Sequence, residues 1–185
     1  MFRRKGGGLS SPPYPFTYSG PCIVAGNAWC LHDDIENART VYGDIPVIAV
    51  NGAAAEIKAF ALYSKHPERL FRWAKQQEHK FGGDFTQHSG RIALSCTHID
   101  HWWPKAWGGG GSAWDARKVA AMMGFDSVIL CGGPMTPGPY VGNHNIGGFM
   151  ASDDVVAGFQ RAIEADRGWH DGCISMSGWT KELLG

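Results

Sequence analysis

The sequence predicts an α/β fold, a Rossmann-like doubly wound and mostly parallel sheet flanked by helices in a single domain. Three observations carry that expectation: short apolar runs alternate with helical periodicity, glycine-rich segments follow the apolar runs, and 185 residues suffice for one core but not for two ordinary domains. The 26 glycines and 10 prolines put frequent turns between the elements and exclude a helical bundle or coiled coil.

Residues 1–19 carry Gly6 to Gly8, Ser10, Ser11, Pro12, Pro13 and Pro15 without apolar periodicity, and read as a flexible N-terminal arm ahead of a domain over 20–185. Cys-Ile-Val-Ala over 22–25 and Ile-Pro-Val-Ile-Ala-Val over 45–50 read as buried strands around a helix at 33–40. Ala-Phe-Ala-Leu-Tyr at 59–63 is a third strand. His66 and Pro67 then open a helix whose face is Leu70, Trp73, Ala74 and Gln77, with proline at a first-turn position where its missing N–H costs nothing. A fourth strand is expected at 91–96, followed by a loop from Thr97 to Gly111.

Ser112-Ala-Trp-Asp115 has the form of a capping box, opening a helix with Ala116, Val119, Ala120 and Met123 on one face and Gly124 as its stop. A strand at 127–131 leads into a glycine and proline loop over 132–148. A helix over 153–166 has Val155, Val156, Phe159 and Ile163 on one side. A strand near 173–176 and a helical turn at 179–184 close the chain.

Seventeen basic residues balance seventeen acidic ones, so the strong positive field of a non-specific nucleic-acid binder is absent. No run approaches the roughly 20 apolar residues of a membrane span, and Met-Phe-Arg-Arg-Lys is followed by glycine and proline instead of an apolar signal core. The expectation is a cytoplasmic protein without a membrane association, its oligomeric state left open. Five cysteines without a CxxC pair read as buried free thiols, with Cys96 or Cys131 as the alternative nucleophile.

Ligands of open parallel sheets bind beyond the carboxyl ends of the strands. There the chain places Gly26, Asn27 and Ala28, then Asn51 and Gly52, then Gly110, Gly111 and Ser112 at a helix start. Small residues admit a ligand to backbone N–H groups, asparagine offers both donor and acceptor, and a helix N-terminus attracts a phosphate. These eight residues are the expected nucleotide-binding set, against the alternative that each pair is an ordinary turn. Gly108, Gly110 and Ala113 also satisfy a loose G-x-G-x-x-A, but a dozen residues separate it from the preceding strand.

Tyr140 and His144, in the loop after the strand at 127–131, are the catalytic candidates, His144 because imidazole titrates near neutral pH. His66, Trp102 and Trp103 would form the pocket rim. His98-x-Asp100-His101 has the spacing of a metal-binding loop and would need further ligands such as His144 or His170. A metal-dependent hydrolase is thus a minor alternative to a site without metal.

Three segments give a resemblance. Ile23-Val-Ala-Gly-Asn-Ala-Trp-Cys-Leu31 resembles the G-N-G-P-S-L signature of bacterial sialyltransferase-like proteins and of the related domain found in flagellin-modifying and archaeal pterin-diphosphokinase-like proteins. Pro46 to Asn51 is similar to their second strand, and the segment from Gly110 to Gly132 resembles their glycine-to-glycine helix and strand. His66-Pro67-Glu68 resembles phage-type members. The resemblance implies a Rossmann-like nucleotide-binding domain with Gly26, Asn27 and Asn51 near ribose and phosphate, Gly111 and Ser112 near phosphate or base, and His144 as base. Ala28-Trp29-Cys30 departs from the family's Gly-Pro-Ser, and Gly132-Gly133-Pro134 lacks the acidic residue found there. The expected function is a small glycosyltransferase-like enzyme with a nucleotide or nucleotide-sugar as its ligand, and the alternative is a non-catalytic binding or assembly module, of phage origin.

Overall fold

A computed structural model of the chain describes residues 17–91, 98–141 and 152–185. Among them the chain runs β1 (Pro21–Ala25), α1 (Leu31–Tyr42), β2 (Val47–Val50), β3 (Ala61–Ser64), α2 (Pro67–Phe81), β4 (Thr86–Ser89), β5 (His101–Trp102), α3 (Gly111–Met123), β6 (Ser127–Cys131), α4 (Asp153–Ala165), β7 (Cys173–Ser175) and α5 (Gly178–Leu184). The strands form one sheet in the order β5-β4-β3-β2-β1-β6-β7, and every pairing is parallel. The α/β, mostly parallel, single-domain architecture is that expected from the sequence.

Alternation along the strands explains the two layers. Cys22 and Val24 of β1 point into a core with Trp114, Ala116, Val119, Ala120 and Met123 of α3, joined by Ile163 of α4. Ile23 and Ala25 point the other way, onto Leu31, Ile35 and Ala38 of α1 and Leu70, Trp73 and Ala74 of α2. Each fully buried Leu or Ile side chain contributes about 1.5–3 kcal/mol of hydrophobic free energy, so neither face can be left uncovered.

The predicted helical faces hold for α2, where Gln77 is fully buried among the apolar residues, and for α3. In α4 the face is narrower than expected: Val156 and Ile163 are buried, but Val155 is exposed. The expected strand at 91–96 lies, from residue 92, outside the described residues; ahead of it is a strand not expected from the sequence, Thr86–Ser89, a polar run whose His88 and Ser89 are buried. The short β5 falls within the stretch expected to be all loop, because its edge position requires only two residues of pairing, at His88↔His101 and Ser89↔Trp102.

Most of the expected N-terminal arm lies outside the described residues. Tyr18, within its expected bounds, is packed: its ring stacks on Phe125 at 4.7 Å and its N–H donates to Met123 O at 2.9 Å. No helix among the described residues is long and apolar enough to cross a membrane.

Candidate functional site

The chain adds β2 to β5 on one side of β1 and then returns to place β6 on the other. The loops leaving β1 and β6 therefore diverge, and a crevice opens between them at the carboxyl edge of the sheet. A cavity of about 250 Å³ occupies this point. Its walls come from the β1 loop, the end of β2, the start of α3, the β6 loop and the first half of α4.

Backbone packing sets the floor. Gly26 N–H donates to Cys131 O at 2.7 Å and Ala28 N–H to Gly132 O at 3.1 Å, tying the two loops together just beyond the strands. A Cβ on Gly26 would overlap Gly132 O, and one on Gly132, whose φ is 63°, would overlap Gly26 O. From behind, the buried Asp34 of α1 accepts hydrogen bonds from Gly132 N–H and Ser177 Oγ, each at 2.8 Å.

The third wall is the amino end of α3. The helix begins at Gly111, with Gly110 as N-cap, no capping side chain and no acidic residue in the first turn. The expected capping box does not form. Asp115 is fully buried, and its carboxylate accepts from Gly108 N–H at 3.3 Å and pairs with Lys65 at 3.3 Å. The first-turn amides of α3, with Gly111, Ser112 and Ala113 on the cavity wall, thus carry the positive end of the helix dipole without a side chain neutralising it.

Polar side chains complete the lining. Asn27 Oδ1 is buried without a hydrogen-bond partner among the described residues. Such an orphan costs about 1–3 kcal/mol and is relieved by a ligand donor. Asn51, at φ 54°, ends β2 and accepts from Ser64 Oγ at 2.7 Å; the same hydroxyl accepts from His66 N–H at 2.8 Å. Ser64 therefore fixes the positions of Asn51 and His66 together. His66 Nδ1 lies 3.4 Å from Glu68 Oε1. Tyr140 pairs with Ala28 in an antiparallel bridge that brings it onto the wall, and burial pushes its phenol above the usual range.

Of the residues singled out in the sequence, Gly26, Asn27, Ala28, Asn51, His66, Gly111, Ser112 and Tyr140 all line this cavity. Gly52 and Gly110 do not. Gly52 is buried in the 3₁₀ turn after β2, and Gly110 faces the Trp114 and Ile163 side chains, so both support the wall from inside. Trp102 and Trp103 are also not at the rim: they lie at β5, with β4, β3 and β2 between them and β1. Trp102 Nε1–H donates to Gly90 O at 3.3 Å and Trp103 Nε1–H to His88 Nδ1 at 2.9 Å. His144 and Cys96 lie outside the described residues.

The metal-loop spacing does not produce a converging ligand set. A ring nitrogen of His98 is 3.3 Å from Pro67 O, Asp100 accepts from Gln87 N–H at 2.8 Å, and His101 stacks on His88 at 5.0 Å. No group of three such side chains positioned for a metal occurs among the described residues, and His170 is tied to Ile163 O at 2.8 Å. Cys22, Cys30, Cys131 and Cys173 are free and buried, and burial raises each thiol, that of Cys30 to about 12. Cys131 is therefore not an activated nucleophile.

Two features of the site were not foreseen. Met135, Thr136, Val156 and Phe159 line the cavity, Met135 with φ 46°, a costly backbone for a non-glycine residue. Val156 and Phe159 were legible as an apolar helix face, but only the tertiary arrangement turns that face towards the crevice. The second is an ionic cluster under the glycine loop. Lys65 donates to Gly108 O, pairs with Asp115 and lies 4.7 Å from the Trp107 ring centre, while Lys118 pairs with Asp166, which also accepts from Trp114 Nε1–H at 2.9 Å. Burial raises the Asp115 carboxyl to about 6 despite Lys65.

Fold and cavity together define an open, parallel α/β domain with a crevice at the switch point of its sheet. Comparison of the sequence with protein-family models and with curated proteins finds no match.

Proposed function

We propose that the protein binds a nucleotide-activated donor in this crevice and transfers its activated group, as a small glycosyltransferase-like enzyme. The observation that carries the reading is the coincidence, in one cavity, of an uncapped α3 amino end with the orphaned Asn27 Oδ1 and the left-handed Asn51. The helix amides suit a phosphoryl group, and the asparagines suit the hydroxyl and amide edges of a nucleoside.

In this reading the α3 amides stabilise charge growing on the departing phosphate as the bond to the transferred group breaks. His66, the one imidazole of the cavity wall among the described residues, accepts the acceptor hydroxyl's proton, with Glu68 orienting the ring. His66 joins His144, which lies outside the described residues, as a candidate for this role, because Ser64 accepts its backbone N–H and it stands on the cavity wall just before α2. Isothermal titration with CMP, UDP, GDP and ATP tests the reading: saturable binding that weakens in Asn27→Ala supports it, and the absence of binding by all four overturns it.

Half-exposed Trp29 and Trp107 favour a second reading, a non-catalytic binding or assembly module that uses these rings to hold a partner. It requires partner capture to survive Asn27→Ala and to fail in Trp29→Ala.

A further inference from the structure

The β6 loop that forms one wall of the cavity has an uneven hydrogen-bonding pattern. Every carbonyl from Gly132 to Met135 is already engaged. Gly132 O accepts from Ala28 N–H at 3.1 Å, Gly133 O from Thr180 Oγ at 2.8 Å, Pro134 O from Thr180 N–H at 3.3 Å and Met135 O from Gln160 Nε2 at 2.9 Å. Of the donors, Gly132 N–H is held by Asp34 and proline has none. The amides of Gly133 and Met135 remain, with no partner among the described residues, and both residues line the cavity.

We infer that this loop is a donor-only cradle for an anionic oxygen of the ligand, and that Thr180 and Gln160 are the positioning residues that make it so. A peptide loop normally presents donors and acceptors alternately, and an exposed carbonyl would repel a phosphoryl oxygen. Here side chains from two other elements take up the carbonyls, which leaves only N–H groups for the ligand. The inference rests on the proposed nucleotide reading and extends it, because it assigns a second set of amides in the same cavity, beside the α3 amino end, where a Cβ on Gly133 would meet Ala113 Cβ at 3.6 Å.

Thr180 is built for this task. It is fully buried, and its hydroxyl lies 2.8 Å from Gly133 O, the shorter of its two carbonyl contacts, Ser177 O being 3.2 Å away; with the proton on Gly133 O, Ser175 Oγ at 2.8 Å is left to donate to it. Gly178 lets α5 come this close: its φ is 66°, and a Cβ there would lie 2.6 Å from Pro134 O. Met135, at φ 46°, has its carbonyl held by Gln160 on α4.

The test is a ¹H–¹⁵N NMR titration of the full chain with the same four nucleotides and, in a separate arm, with inorganic phosphate, on wild type, Thr180→Val, Thr180→Ser and Gln160→Met. The expected result is a downfield shift of the Gly133 and Met135 amides on saturation. Affinity should fall at least tenfold in Thr180→Val and in Gln160→Met and be restored in Thr180→Ser. Gln160 is only partly buried, so its variant folds even where Thr180→Val does not. If a nucleotide binds but these amides do not shift, or Gln160→Met binds like wild type, the cradle is overturned while the nucleotide reading stands. If none of the nucleotides binds, both fall. A shift with phosphate alone assigns the cradle to a free anion and overturns it as a nucleotide subsite.

Discussion

Gly26 and Gly132 meet backbone against backbone where β1 and β6 part, the carbonyl oxygen of each occupying the space that a Cβ on the other would need. This contact closes the floor of the cavity. Gly26→Ala forces the two loops apart, at a cost of about 1–3 kcal/mol for overpacking, which corresponds to a fall in Tm of roughly 2–12 °C for a chain of this size. Gly132→Ala should be worse, because its left-handed φ adds about 1 kcal/mol or more. Thermal unfolding of the two variants gives the order directly.

Asp34 joins α1, the β6 loop and the residue before α5 through one oxygen. Asp34→Ala leaves Gly132 N–H without its acceptor and Ser177 Oγ with only the weaker Cys30 Sγ at 3.0 Å, so a loss of about 1–3 kcal/mol is expected. Asp34→Asn, which keeps a carbonyl oxygen, should recover at least half of it. Equal destabilisation of the two variants in denaturant titrations would show that the acceptor is not what matters.

Asp115 and Asp166 should impose opposite pH dependences. Burial raises Asp115 to about 6, above its unfolded value, so the folded state binds the proton more tightly. Its contribution is greatest at low pH and is lost as pH rises to ~6, and wild type should lose stability relative to Asp115→Asn between pH ~4 and ~7. Asp166, although burial acts to raise it, is held below the usual range by Lys118 and Trp114. Its contribution is present above its unfolded value and disappears on acidification, so the advantage of wild type over Asp166→Asn should shrink as pH falls below ~4. Tm measured across pH for the three proteins checks both signs.

His66→Gln should separate binding from chemistry. The variant keeps the amide held by Ser64 and leaves the α3 amides untouched, so nucleotide affinity should change less than threefold. Turnover of a nucleotide-sugar should fall about 10²–10⁴-fold, the usual contribution of a general base. A variant with unchanged turnover would remove His66 from the reaction.

Most of the cavity wall was legible because strand ends are legible. Gly26, Asn27, Asn51 and Tyr140 each sit within a few residues beyond an apolar run, or in the loop that follows one, and a parallel sheet gathers such positions on one edge. The residues that misled did so for local reasons. Ser112 and Asp115 have capping-box spacing, but Lys65, 50 positions earlier in the chain, gives Asp115 a stronger partner inside the protein. Trp102 and Trp103 come after an expected strand in the sequence, yet Trp102 belongs to β5 at the edge of the sheet and Trp103 follows it, so their indoles are bonded to Gly90 and His88, three strands away from β1.

Composition, periodicity and glycine placement by themselves determined an α/β class, the helical faces of α2 and α3, and the strand-end positions from which a site would be built, since these follow from local sterics and from the period of each element. Only the tertiary structure decided which strand ends are neighbours. The order β5-β4-β3-β2-β1-β6-β7 depends on the return of the chain across β1, a long-range packing choice with no local signature. The same holds for the carbonyls of Gly133 and Met135: whether a loop offers donors or acceptors is settled by side chains that arrive from α4 and α5, far along the chain.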